Sequence, residues 1–277
     1  MKRIISFLIL FFMTVSLIAP IYCKSTSKEE EKVKVDTSNV KLNAGVSNII
    51  FADIDAEKWK VGWADREVYV YRKPDVSSEI LDTYDFNEVI VYQILNEEWA
   101  MVSVCGMDGY ILPYDISDRE YKYEEHILPN NSGFKSYMPY TTITNKSSSQ
   151  YKLQQQATTG RYGIRTIDGY RYCVAIGTAF KAEIGTYFDL ILENGVVIPC
   201  IVGDIKADEH TESNNIITSN NGCLSEFIID GTELKREVKR DGDVSSCLDS
   251  WNSPAFKIKI YEKTFFKEDT NSGLQEN

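Results

Sequence analysis

The densest chemistry in this chain lies in one run, Asp204-Ile205-Lys206-Ala207-Asp208-Glu209-His210-Thr211-Glu212, which directly follows the apolar stretch Val196 to Val202. Carboxylates leaving a strand end are placed to face a cleft. A second carboxylate, Glu226, follows 226 − 204 = 22 positions later, across one loop. Breaking a glycosidic bond needs an acid that protonates the leaving oxygen. A carboxyl group does this near neutral pH when burial or a like-charged neighbour raises its pKa. The run also has a D-x3-D-x-H spacing (Asp204, Asp208, His210) of the kind that ligates metals; a solvated acidic loop is the plainer reading, and no metal is expected. An Asp after a strand also commonly caps a turn, which is the bland alternative for Asp204.

Thiol chemistry has less support. Beyond Cys23 stand Cys105, Cys173, Cys200, Cys223 and Cys247, an odd set without the C-x-x-C spacing of zinc or redox sites. They read as buried small hydrophobes, with room for one disulfide among the last four. A nucleophilic Cys would want a His partner, and the chain has two, His126 and His210.

The elements that must hold the carboxylates are strands. Tyr172–Ile176, Tyr187–Leu192, Val196–Val202, Leu224–Ile229 and Phe256–Tyr261 carry strand patterns, and Glu193-Asn194-Gly195 marks a hairpin because Asn-Gly readily takes positive φ. Pro199 inside one arm implies an edge or a bulge. A helical turn is expected at Gln150 to Gln156. Lys235 to Arg240 reads as a solvated charged segment. Long irregular connections suit a Greek-key-like barrel better than a meander.

An earlier stretch, Ala64 to Ser117, holds short strands at Val68–Tyr71, Glu88–Ile94, Trp99–Val104 and Gly109–Ile111, separated by Lys73-Pro74-Asp75, Asp85-Phe86-Asn87, Asn96-Glu97-Glu98 and Gly106-Met107-Asp108. So few residues bury a core only by closing into a small barrel. Val68-Tyr69-Val70-Tyr71-Arg72-Lys73-Pro74, Glu98-Trp99-Ala100-Met101-Val102 and Asp108-Gly109-Tyr110-Ile111 resemble, in order, the opening strand, the "GWYKV" strand and the closing hairpin of the bacterial SH3 (SH3b) family. A glycine usual in that family after Asp85 is missing. The resemblance implies a module that binds cell-wall peptide or glycan. Tyr69, Tyr71, Tyr84, Tyr92 and Trp99 are its candidate stacking residues, about half of which must be core in so small a barrel.

The C-terminal order of segments resembles the double-psi β-barrels of the three-aspartate family and of MltA-type lytic transglycosylases. Tyr172-Cys173-Val174-Ala175-Ile176 looks like their "VAVD" strand with Gly177 in place of the aspartate, and Glu183 to Leu190 is similar to their "IPLGTKVYI". Val202-Gly203-Asp204-Ile205-Lys206 stands where they have "DTGGAIKG", and Leu224 to Ile228 where they have "IDIFF". The match spans Tyr172 to Asp230. It implies Asp204 as general acid and base, Glu226 orienting the sugar or tuning Asp204, and Lys206, Asp208 and His210 with Tyr71 and Trp99 as substrate contacts. No cofactor is implied.

The remaining sequence bounds the setting. Lys2 and Arg3 precede an apolar run, Ile4 to Ile18, of about fifteen residues, short for a membrane span and suited to a secretory signal. Cleavage is expected near Cys23 or Ser25; the bulky Tyr22 suits lipoprotein processing badly. A net charge of −11 argues against nucleic acid. Seventeen tyrosines and twelve phenylalanines lean towards β structure. The expected division is a signal peptide (1–23), a charged linker (24–50), an SH3-like domain (51–118), a polar bridge (119–133) containing His126, a six-stranded double-psi-like barrel (134–265) and a tail (266–277). A mainly β, secreted, wall-associated protein follows. Its expected partner is peptidoglycan, its glycan and peptide, with no membrane after signal removal. Cleavage of glycan strands and non-catalytic wall or surface binding are the two expected activities.

Overall fold

The computed structural model describes residues 58–266, so the expected signal peptide and charged linker, and the tail after residue 266, lie outside the described residues. The chain is mainly β and divides into two units, 1–120 and 121–277. Among the described residues no helix is long and apolar enough to cross a membrane.

In the first unit β1 (Trp59–Ala64), β2 (Val68–Tyr71), β3 (Ile80–Tyr84), β4 (Val89–Ile94), β5 (Ala100–Val104), β6 (Met107–Ile111) and β7 (Ile116–Ser117) form one sheet in the order β3-β2-β6-β5-β4-β1-β7. The core takes alternate residues, Val68 and Val70 from β2 and Ala100, Val102 and Val104 from β5, against Ala64, Ile90 and Ile111. That period of two is the pleat of a strand buried on one face. Asn87 stands at φ 64 where the missing glycine would be, and Asn tolerates the left-handed region better than most residues. Cys105 and Gly106 take φ 50 and 78 at the β5–β6 turn, the geometry of a two-residue hairpin.

The second unit contains β8 (Tyr123–Ile127), β9 (Ser136–Pro139), α1 (Ser149–Gln156), β10 (Thr158–Thr159), β11 (Arg165–Ile167), β12 (Arg171–Ile176), β13 (Thr186–Leu192), β14 (Val197–Ile205), β15 (Glu226–Ile229), α2 (Arg236–Asp241) and β16 (Ala255–Thr264). Seven strands run β10-β11-β12-β14-β13-β16-β8, and β15 joins β12 to β9. The pairs β12–β14 and β9–β15 are parallel. Arg171 locks the centre: its guanidinium donates to Phe188 O at 2.9 Å, Cys200 O at 3.0 Å and the Asp189 carboxylate at 3.0 Å, while Tyr261 donates to the same carboxylate at 2.6 Å.

Three expectations need correcting. Among the described residues both strand paths are open: the end strands β3 and β7 of the first sheet do not pair, and nine strands, not six, make the second. The bridge is not only a linker, because its residues 123–127 form β8 on the edge of β16, with His126 opposite Ile258 and its ring against Phe180. Of the edge or bulge expected at Pro199 the structure shows the edge, and the bulge in β14 lies at Gly203, where the register with β12 shifts. Pro199 pairs with Asp189 of β13, and the pairing with β12 begins only at Cys200, so no ladder bond is lost.

Candidate carboxylate site at the end of β12

β12 has different neighbours along its length. Its first residues pair with β11, its last with β15, and its other edge runs parallel to β14. Ala175 is the meeting point: it pairs with Asp204 on one side and with Glu226 on the other, and Glu226 pairs onward with Ser136 of β9. Residues at one level of a sheet project to one face. With about 4.8 Å between neighbouring strands, the Asp204 and Glu226 backbones are about 10 Å apart.

Gly203 makes this level possible. Val174 pairs with Val202, so unbroken register would set Gly203 beside Ala175; the extra residue instead brings Asp204 there and turns it to the other face. A Cβ at the bulge would push against the terminal methyl of Ile228, so glycine fits there without displacing it.

Asp204 is half-buried, and its Oδ1 accepts from its neighbour Ile205 N at 2.9 Å and from Gln150 Nε2 at 3.2 Å. Gln150 sits in the first turn of α1, whose N-cap Ser148 accepts from Tyr151 N at 3.2 Å. Both donors fall on Oδ1, which leaves Oδ2 as the oxygen suited to carry a transferred proton. Lys206 points inward, 7% exposed, and donates to Thr218 Oγ1 at 2.6 Å. Burial pushes its amine below the usual lysine range, against the opposing pull of Cys223 and Glu226. An inward ammonium cannot meet a polymer at the surface, so the expected substrate contact at Lys206 is not made by this geometry.

Asp208 and His210 do not gather with Asp204 as metal ligands. Asp208 accepts from Thr178 Oγ1 at 2.5 Å, His210 is exposed beside Glu209 at 3.7 Å, and no group of three metal-ligating side chains exists among the described residues. The connection from Asp208 to Cys223 folds back on itself, with Thr211 bridged to Thr218. It places the Asn215 carbonyl oxygen where a Cβ on Gly177 would have to go. Position 177, where the family resemblance would put an aspartate, is therefore sterically closed to a side chain.

In the first unit Trp99, an expected ligand contact, is 9% exposed and packs edge-on against Tyr71, ring centres 6.0 Å apart. Tyr84 and Tyr92 pack on the core. Tyr71 stays half-buried, and Tyr69 (40%) and Tyr114 (68%) are the exposed rings near it in sequence and sheet. The Tyr71 hydroxyl lies within the field of Tyr114 and Asp115. In the second unit Gln150 reaches the carboxylate level from α1, Ser136 from β9, and Thr218 and Asn215 belong to the returning loop, so no local sequence pattern marks them.

The five described cysteines are not joined in disulfides, and Cys105 is exposed while the others are buried. Burial pushes Cys173 up to about 12 and Cys247 to about 11, the behaviour of inert core thiols. A cavity of about 310 Å³ lined by Glu237, Arg240, Asp241, Asp243, Ser245 and Ser246 among others shares no residue with the carboxylate level. No family model, curated protein or solved structure matches this chain.

Proposed function

We propose that this is a secreted cell-wall protein in which an SH3-like module holds peptidoglycan while the C-terminal unit cleaves its glycan strands. The observation that carries the reading is the shared level of Asp204 and Glu226 on either side of Ala175. In this reaction Asp204 Oδ2 gives its proton to the glycosidic oxygen as the C1–O bond breaks. The sugar's own 6-hydroxyl then bonds to C1 and returns its proton to Asp204. One carboxyl group thus serves as acid and then as base, and Glu226 orients the sugar across Ala175. Tyr71 and Tyr114 are the rings on which the module stacks its ligand.

A second reading, a wall-binding protein that does not cut, is favoured by one observation. The position of a third carboxylate, Gly177, is filled by the Asn215 carbonyl. The experiment is digestion of purified peptidoglycan by the protein and by Asp204→Asn, with products read by mass spectrometry. Products ending in 1,6-anhydromuramic acid, absent with the variant, support the cleaving reading. Reducing ends would mean hydrolysis by water instead. Pelleting with the wall and no new products would establish the binding reading, and neither binding nor products would sink both.

A further inference from the structure

Four side chains from distant parts of the second unit meet beneath the carboxylate level. Lys206 Nζ lies 3.7 Å from Cys223 Sγ, Thr218 Oγ1 is 3.6 Å from the same sulfur, and Ser136 Oγ is 3.1 Å from it. Lys206 is 7% exposed and Cys223 0%. Cys223 is in no disulfide. A buried amine and a buried thiol in contact, surrounded by hydroxyls and separated from bulk water, have few reaction partners except each other.

We propose that Lys206 and Cys223 are a modification site, joined on oxidation by a single oxygen atom into an N–O–S cross-link. In balance, Lys–NH2 + HS–Cys + O2 gives Lys–NH–O–S–Cys + H2O. One N–H and the S–H bond break, and N–O and O–S bonds form. Nitrogen and sulfur each give up two electrons, and dioxygen, the oxidant, takes all four. Two equivalents of a dithiol reverse the step, returning amine, thiol and water.

Three features of the site favour this outcome over ordinary thiol oxidation. The amine is the nucleophile only when neutral, and burial lowers the cost of that form. Thr218 contacts both reacting atoms, its hydroxyl 2.6 Å from the amine and 3.6 Å from the sulfur. Burial of Cys223 keeps bulky thiols out while admitting dioxygen, so a mixed disulfide is disfavoured. The link joins residues 17 positions apart and fastens the end of β14 to the base of the loop that covers Gly177. It also removes a basic amine from beside Glu226. The cross-link itself does not depend on the proposed wall activity.

The test is mass spectrometry of the full chain after exposure to air-saturated buffer, digested without reductant. The expected species joins the peptides holding Lys206 and Cys223 with a gain of about 14 Da, one oxygen in and two hydrogens out. Dithiothreitol removes it, and Lys206→Arg and Cys223→Ser do not form it. Exposed Cys105 reports whether oxidation took place. With Cys105 oxidised, an unmodified Lys206–Cys223 pair overturns the proposal. So does a gain of about 16 or 32 Da on Cys223 alone, or a disulfide from Cys223. These results are read on the wild-type chain, so they do not rely on either variant folding.

Discussion

Asp204 and Glu226 stand at one level of the sheet with Ala175 between them, the first reached through a parallel pairing and the second through an antiparallel one. Each carboxylate therefore belongs to a different strand connection, with the buried Ala175 between them. Asp204 is further held by Gln150 from α1.

This relationship separates the two carboxylates by experiment. Asp204→Asn retains an oxygen for the Ile205 and Gln150 donors, so the fold is expected to persist while glycan cleavage falls by about 10²–10⁴-fold. Glu226→Gln is expected to cost less and to raise KM more than it lowers kcat. Equal losses in both variants would mean that the two groups share one role.

Gly177→Ala places a methyl group on the Asn215 carbonyl. The expected result is a destabilisation of about 1–3 kcal/mol, seen as a lowered Tm. An unchanged Tm would mean that the Asp208–Cys223 connection moves aside freely.

Lys135 carries a pH signature. Its ammonium is buried and donates to Gly133 O at 2.9 Å, Trp251 O at 2.7 Å, Ser253 O at 3.0 Å and Ser245 Oγ at 3.3 Å. Burial pushes its pKa from 10.5 down to about 8. The unfolded chain then binds the proton more tightly, so this group's contribution to stability rises between pH 8 and 10.5, by about 3 kcal/mol in all. Cys173 and Cys247 act in the opposite sense above pH 9, since their thiols ionise more readily once unfolded. The measurement is chemical denaturation of wild type and Lys135→Met from pH 7.5 to 9. The variant is expected to lack the rise; parallel curves would refute the assignment.

Trp99 and Tyr114 distinguish packing from binding in the first unit. Trp99→Ala empties a buried site and is expected to cost about 3–5 kcal/mol. Tyr114→Ala, on an exposed ring, is expected to leave Tm within about 0.5 kcal/mol of wild type and to weaken co-sedimentation with purified wall. Full retention of binding by Tyr114→Ala would remove that ring from the proposed surface.

Strands that alternate or run apolar were legible, whereas β11, fully buried but only Arg-Thr-Ile, and β1 were not. Val68–Tyr71, Trp99–Val104 and Tyr187–Leu192 alternate or run apolar, and each reappears within a residue or two. β8, Tyr-Glu-Glu-His-Ile, is mostly exposed, so its residues read as a polar bridge. β9 is too short to show a period and is held by parallel pairing to β15, 90 residues on. Glu226 was legible as a strand carboxylate and Asp204 as one just past a strand end, whereas β14 runs on through it to Ile205. That they share a level was not, because one register shift at Gly203 decides it. Lys206 reads as one more polar group in a charged run, and only the returning loop, with Thr218 and Cys223, turns it inward.

The contact between Asn215 and Gly177 also limits what can change at this point. A side chain cannot be added at 177 by one substitution while the loop keeps its present course, because it would meet a backbone oxygen rather than a movable group. The order of changes is imposed: the loop must be rerouted before the residue can vary. Residue 177 and the course of the loop after β14 are thus one coupled choice.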